Sequence, residues 1–347
     1  MIVTRTPFRI TLGGGGTDLP SFYEQHGGFV FAMGINKYMH LILTRRSIAD
    51  RKIIIRYSQV ETVDSVEEIK HPLAREVLRL HDIRDAIEVT SVADMPAKAG
   101  LGSSGSYLVG LLTAVRAYSG ESCTTQELAE EACRIEMEIL KDPVGKQDQY
   151  MAAFGGFRTL EIARDGRVDV REVPVDFVTV NELISNARVY YTGVQRAAMG
   201  VLKDQDQAAR EKKSPDHNRV VESLCRIKEL GYRIRTAFEQ RDMDAFGRMM
   251  DDHWQAKRQM SPGISLTAID NLYDEVKKRF GVLGGKIIGA GGGGFVMLYS
   301  PRRDRDLDEF MMQHGMPRVG YAPSLRGSHV VSDLTAVDQF DNPVSAS

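Results

Sequence analysis

Little in this chain could tie it together covalently or carry it into a membrane. Among 347 residues there are three cysteines, Cys123, Cys133 and Cys225, an odd number with no close pair. That excludes a disulfide framework and fits reduced thiols in a reducing compartment. No apolar run approaches the roughly 18 residues that a spanning helix needs. The opening Met1-Ile2-Val3-Thr4-Arg5 lacks the apolar core of a signal peptide. Neither charge sign dominates: 45 basic residues face 47 acidic ones, for a net charge of −2. Without a basic block, nucleic acid is not an expected partner. There is no internal repeat and no low-complexity segment. The expectation is a cytoplasmic protein with small-molecule partners, long enough at 42% hydrophobic residues for a large core and two domains.

What the chain does have is glycine, concentrated in three places. The most informative is Met95-Pro96-Ala97-Lys98-Ala99-Gly100-Leu101-Gly102-Ser103-Ser104-Gly105-Ser106. An alternating strand pattern, Ile87 to Val92, precedes it, and apolar residues at helical spacing, Tyr107 to Tyr118, follow. A glycine-rich loop opening a helix presents unpaired backbone N–H groups and the positive end of the helix dipole. That is a phosphate cradle, or else a bare connection with no ligand. Gly100, Gly102 and Gly105 spell G-x-G-x-x-G, yet Met95 to Ala99 separate them from the strand, and no acidic strand residue follows about 20 positions on. A dinucleotide turn is therefore excluded. A Walker A loop is also absent, because Gly285-Lys286 runs into Ile287.

The second stretch is Pro7-Phe8-Arg9-Ile10-Thr11-Leu12-Gly13-Gly14-Gly15-Gly16-Thr17-Asp18. Four glycines cost backbone entropy and make sense where the backbone must come close to something. Asp18 is either a constrained functional carboxylate or a cap for a helix over 21–26. The third stretch runs Gly284 to Gly294 into an apolar strand, Phe295 to Tyr299. Between them, an N-capped helix over 126–140 carries Glu136, and Asp148 follows Lys141-Asp142-Pro143, as a functional residue or a helix cap. Ile2 to Thr6 reads as an edge strand, and residues 28–44 as strand, turn, strand. Arg158 to Val173 reads as a hairpin. Long amphipathic helices occupy 201–260, and Trp254 and His253 within them read as core or surface rather than catalytic. The predicted division is 1–180, 181–335 and a loose tail, 336–347.

The ordered trio of motifs resembles the GHMP kinases over roughly residues 1–335. Within them, Gly13-Gly14-Gly15-Gly16-Thr17-Asp18-Leu19-Pro20 and Lys141-Asp142-Pro143-Val144-Gly145-Lys146-Gln147-Asp148-Gln149-Tyr150 look most like the D-glycero-D-manno-heptose 7-phosphate kinases. The resemblance implies an α+β, two-domain fold: an N-terminal ribosomal-S5-like domain and a C-terminal α/β sandwich. It implies that residues Pro96, Lys98, Ala99, Gly100, Leu101, Gly102, Ser103, Ser104 and Gly105 hold the phosphates of ATP. Ser104 and Glu136 would bind Mg²⁺. Asp148 would orient or deprotonate the acceptor hydroxyl, with Arg9 compensating its charge. Asp18, Gly15, Gly16, Gly292, Gly293 and Arg196 would meet the sugar, and Lys146, Arg196 and Arg326 are candidate cations for a sugar phosphate. Galactokinases carry Glu-His where Gly15-Gly16 stand, which argues against galactose. The implied activity is a sugar-1-kinase acting on heptose 7-phosphate, in the synthesis of nucleotide-activated heptose. The rivals are a kinase for another sugar such as fucose, or for a small alcohol, and a sensor that binds ATP and sugar without transfer.

Overall fold

The computed structural model describes residues 1–46, 51–97, 99–194, 198–211, 216–260, 267–289, 291–301 and 305–335. The chain opens with β1 (Ile2–Gly13), α1 (Pro20–His26), β2 (Gly28–Arg45), β3 (Ile53–Arg56), β4 (Val60–Val63), α2 (Pro72–Leu80) and β5 (Ile87–Ala93). It continues through α3 (Ser103–Ser119), α4 (Thr125–Cys133), a π-helical turn (Arg134–Ile139), α5 (Gln147–Phe154), β6 (Phe157–Ile162) and β7 (Val168–Glu172). After these come α6 (Phe177–Asn186), β8 (Ala187–Tyr191), α7 (Ala198–Arg210), α8 (His217–Glu239), α9 (Met243–Arg258) and α10 (Thr267–Phe280). The last elements are β9 (Gly284–Ile287), β10 (Phe295–Tyr299), α11 (Arg305–Gln313), β11 (Arg318–Val319) and β12 (His329–Asp333).

The strands form two sheets. The larger runs β12-β1-β2-β5-β3-β4, with β6 and β7 added along the first half of β2; the smaller, antiparallel sheet runs β11-β8-β10-β9. The first strand is not an edge, as its sequence suggested. It lies between β2 and β12, which returns from the far end of the chain. Pro7 lacks an N–H, and the register with β2 shifts next to it, between Pro7 and Phe8, where a missing donor is tolerated. The expected turn within residues 28–44 is absent. The middle of β2 stays extended because other segments take its backbone groups: Gly34 N–H donates to Gly156 O at 2.8 Å, and Ser324 N–H donates to Gly34 O at 2.9 Å. The hairpin over 158–173 forms as β6 and β7.

Helix α3 is buried nearly all round, from Gly105 to Leu112, and packs against β1 and β2. An apolar helix of this kind is a core element, so the loop before it is held on a rigid base. Thr124 caps α4 with Glu127 in a reciprocal capping box. The helix expected over 126–140 is regular only to Cys133 and then widens into the π turn. A second apolar cluster, including Tyr190, Trp254, Phe280 and Phe310, lies between the smaller sheet and helices α9 to α11. Among the described residues, no helix is long and apolar enough to cross a membrane. The predicted tail, 336–347, lies outside the described residues, as do Lys98 and Arg196.

Candidate active site

The three glycine stretches meet. The loop before α3 ends in Gly102, in the left-handed conformation (φ 80°), with no side chain capping the helix. The first N–H groups of α3 are thus left for a ligand. A Cβ on Gly289 would lie 2.5 Å from Gly100 O, so the third stretch touches the first backbone to backbone, a contact open only to glycine. Arg9, on β1, ties the second stretch to the first. Its N–H donates to Leu101 O at 3.1 Å and its Nη1 to Gly100 O at 2.6 Å.

Arg9 is buried, and it grips Asp148. Both Nε and Nη2 donate to Oδ1 of Asp148, each at 2.7 Å. The other carboxylate oxygen, Oδ2, takes no hydrogen bond among the described residues and lies beside Gly102. Asp148 does not cap α5; it sits in that helix's first turn, facing the mouth of the phosphate loop. Asp18 does not cap α1 either, since the residue at that cap is Leu19. Instead it is wholly buried, and its carboxylate accepts from Gly16 N–H and Gln147 N–H, both at 3.0 Å, and from Gln147 Nε2 at 3.3 Å. Burial raises its pKa, against those hydrogen bonds, and the neighbouring Asp148 raises it further.

Glu136 lies in the π turn and is 2% exposed. It accepts from Gln149 Nε2 at 2.5 Å and from the Ser104 hydroxyl. Burial, opposed by the Gln149 hydrogen bond and reinforced by Asp148, pushes its pKa up to about 7. π turns are frequent at functional sites because the inserted residue re-aims a side chain; here Glu136 comes to point at Ser104, at the start of α3.

Arg9, Asp18, Ser104, Glu136, Asp148 and the loop 99–105 are therefore brought together. Gly15 and Gly16 border Asp18, with open space on Gly16 except for Leu224. Gly292 and Gly293 are buried in the third loop, Gly293 against Val194. Two candidate phosphate cations are occupied or remote. Lys146 donates to Gly166 O in the β6–β7 turn, and Arg326 is exposed beside Gly155. Sequence reasoning passed over Gln147 and Gln149, which hold the two carboxylates. It also passed over Lys257 and Lys286, both buried close to Arg9. Lys257 had a legible signal: it falls on the buried stripe of α9 with Phe246, Met250, His253 and Trp254.

A glycine-bordered anion cradle feeding a buried helix, with a clamped carboxylate at its mouth, is the site of a phosphotransferase. The chain belongs to the GHMP kinases: the family's N-terminal domain matches residues 67–156 and its C-terminal domain residues 234–310. Within that family it is a sugar kinase. It is 27% identical over 310 residues to the D-glycero-alpha-D-manno-heptose 7-phosphate kinase of Campylobacter jejuni, a match spanning 86% of this chain and 89% of that one. It is 25% identical to the L-fucokinase/L-fucose-1-P guanylyltransferase of Bacteroides fragilis, over 85% of this chain and 34% of that longer protein. The fold is shared with a crystal structure described as a D-glycero-D-manno-heptose 1-phosphate kinase from Bacteroides thetaiotaomicron, with TM-score 0.78, 22% identity, and coverage of 96% and 99%. It is shared too with Lactococcus lactis galactokinase bound to galactose, with TM-score 0.74, 17% identity, and 94% coverage of each chain. GHMP kinases use ATP as phosphate donor.

Proposed function

We propose that this kinase transfers the γ-phosphoryl group of ATP to the anomeric hydroxyl of D-glycero-D-manno-heptose 7-phosphate, giving the 1,7-bisphosphate. The observation that carries the chemistry is the half-satisfied carboxylate of Asp148. Its Oδ1 is held by two Arg9 donors while Oδ2 is open at the mouth of the phosphate loop. The acceptor hydroxyl donates to Oδ2, which orients its oxygen toward the γ-phosphorus and takes the proton as the new P–O bond forms and the bond to ADP breaks. Arg9 keeps Asp148 in place and offsets negative charge that builds on the transferring group. Backbone N–H groups at the start of α3 hold the donor phosphates. Asp18, fixed by Gly16 and Gln147, meets the sugar.

The Ser104 hydroxyl and Glu136 carboxylate suit Mg²⁺, which prefers hard oxygen ligands and few of them from protein. Among the described residues no cluster of three potential ligands exists, so phosphates and water would complete the shell. The ion would neutralise phosphate charge. The chain's contribution is the buried Glu136 carboxylate beside the exposed Ser104 hydroxyl. A cytoplasmic setting, where ATP is plentiful, fits this reading.

Heptose phosphate as acceptor is supported by the Campylobacter relative and by Gly15 and Gly16, where galactokinases carry Glu-His. A fucose-type acceptor is the second reading, favoured by the Bacteroides fragilis relative. A sensor without transfer is disfavoured by the presence of Arg9 with Asp148 and Ser104 with Glu136, two pairs that a sensor could shed. A coupled ADP-release assay with Mg-ATP against heptose 7-phosphate, mannose, fucose and galactose decides between them. Turnover confined to heptose 7-phosphate, with phosphorus NMR showing a new anomeric phosphate, is expected. Turnover of fucose instead removes the heptose assignment.

A further inference from the structure

Beside the Arg9–Asp148 pair lie cations with no carboxylate of their own. Lys257 on α9 and Lys286 on β9 are 6% and 3% exposed. Among the described residues, neither forms an ion pair. Lys257 Nζ donates to Gly289 O, and Lys286 Nζ donates to Leu12 O at 3.2 Å. One turn before Lys257, the buried His253 has no hydrogen-bond partner at either ring nitrogen. Burial lowers both lysines first; Arg9 then lowers Lys257 further, to about 8, and Lys257 and Arg9 lower Lys286. His253 is lowered too, by burial first and then by Lys286 and Lys257. Asp18 is the carboxylate that acts against this for Lys257.

A buried ammonium without a counter-charge is expensive, even when a carbonyl takes one of its donors. Two of them, packed against the two glycine loops that border the site, mark where an anion is meant to arrive. The donor nucleotide already has its cradle at α3. Lys257 reaches the donor loop only through Gly289, and its electrostatic neighbours are Arg9 and Asp18, the aspartate read above as the sugar's. Its ammonium has three donors, and Gly289 takes one.

We propose that Lys257, backed by Lys286, recognises the phosphate ester of the acceptor and sets the enzyme's preference for a phosphorylated sugar. This rests on the reading of the acceptor as a sugar phosphate. Beyond Gly289 O, the Lys257 ammonium keeps two donors for phosphate oxygens.

The test compares kcat/KM for D-glycero-D-manno-heptose 7-phosphate with that for the unphosphorylated heptose, in the wild type and in Lys257→Met. Methionine keeps the length and apolar stem without the charge, so the variant is expected to fold. The wild type should prefer the phosphorylated sugar, and Lys257→Met should cut that preference at least about tenfold, the loss expected for a charge-assisted hydrogen bond. In the wild type, kcat/KM for the phosphorylated sugar should also fall above about pH 8, and the variant should lack this limb. A preference retained in Lys257→Met overturns the proposal alone. A wild type with no preference for the phosphorylated sugar overturns the sugar-phosphate reading, and the proposal with it. A variant that loses both acceptors equally, with a raised KM for ATP, shows that Lys257 only braces Gly289, and also overturns it.

Discussion

Glu136→Gln should make the protein more stable and less active at once. Glu136 is buried with its pKa raised from the usual 4.5 to about 7. In the unfolded chain it ionises near 4.5, so between these values the folded protein binds more protons than the unfolded one. Stability contributed by this group therefore falls as pH rises through that window, and above pH 7 the whole penalty is present. The gap corresponds to about 3 kcal/mol at about 1.4 kcal/mol per pH unit. Glutamine removes the charge and keeps an acceptor for Gln149 Nε2. Relaxation in the wild type reduces the benefit, so a gain of about 2 kcal/mol at pH 8 is expected, roughly 3 °C in the unfolding midpoint for a protein this large. At pH 5 the gain should shrink to under about 1 kcal/mol. Thermal unfolding of both proteins across pH 5–8, without nucleotide, measures this. Turnover with Mg-ATP should drop at least about a hundredfold, through loss of the charge proposed to hold Mg²⁺. A variant no more stable at pH 8 than at pH 5, relative to wild type, would refute the claim that a buried carboxylate is held ready for a cation.

Asp148→Asn keeps the shape of the side chain but removes the charge proposed to take the acceptor's proton. It should lower kcat at least about a hundredfold while KM for ATP changes little, as steady-state kinetics would show. Wild-type turnover in that variant would end the role assigned to Asp148. Gly102→Ala forces a side chain into a left-handed position, where its Cβ would lie 3.2 Å from Asp148 Cγ and 3.3 Å from Arg9 Cγ. The expected result is a folded protein by circular dichroism whose kcat falls at least about tenfold, because the Arg9–Asp148 pair is displaced; unchanged kcat would show that the pair tolerates movement.

Much of the site could be read directly. The loop 95–106 announces itself because an anion cradle needs glycine beside a helix start, and both are local properties. Arg9, Asp18 and Asp148 stand out for a similar reason, as charged residues where glycines or a proline constrain the chain. The π turn is different. The residues from Gln126 to Leu140 have ordinary helical periodicity, and only packing against α5 and α3 decides that the helix widens after Cys133 and aims Glu136 at Ser104. The course of β2 was equally hidden, since Gly34 looks like a turn residue until Gly156 and Ser324 are seen to take its backbone groups.

The sequence alone determined the chemistry available: which glycine-rich loops open helices with free N–H groups, which carboxylates are held on short constrained segments, and which family the order of motifs belongs to. These depend on neighbours a few residues apart. The tertiary structure decided which of those groups meet. Arg9 and Asp148 lie 139 positions apart and share a bidentate contact. Lys257 is one lysine among many in the sequence. It becomes a buried ammonium without an ion pair only when α9 packs against the third glycine loop and excludes water. Burial is a property of the assembled fold, and it is burial that turns an ordinary lysine or glutamate into a group poised for a ligand.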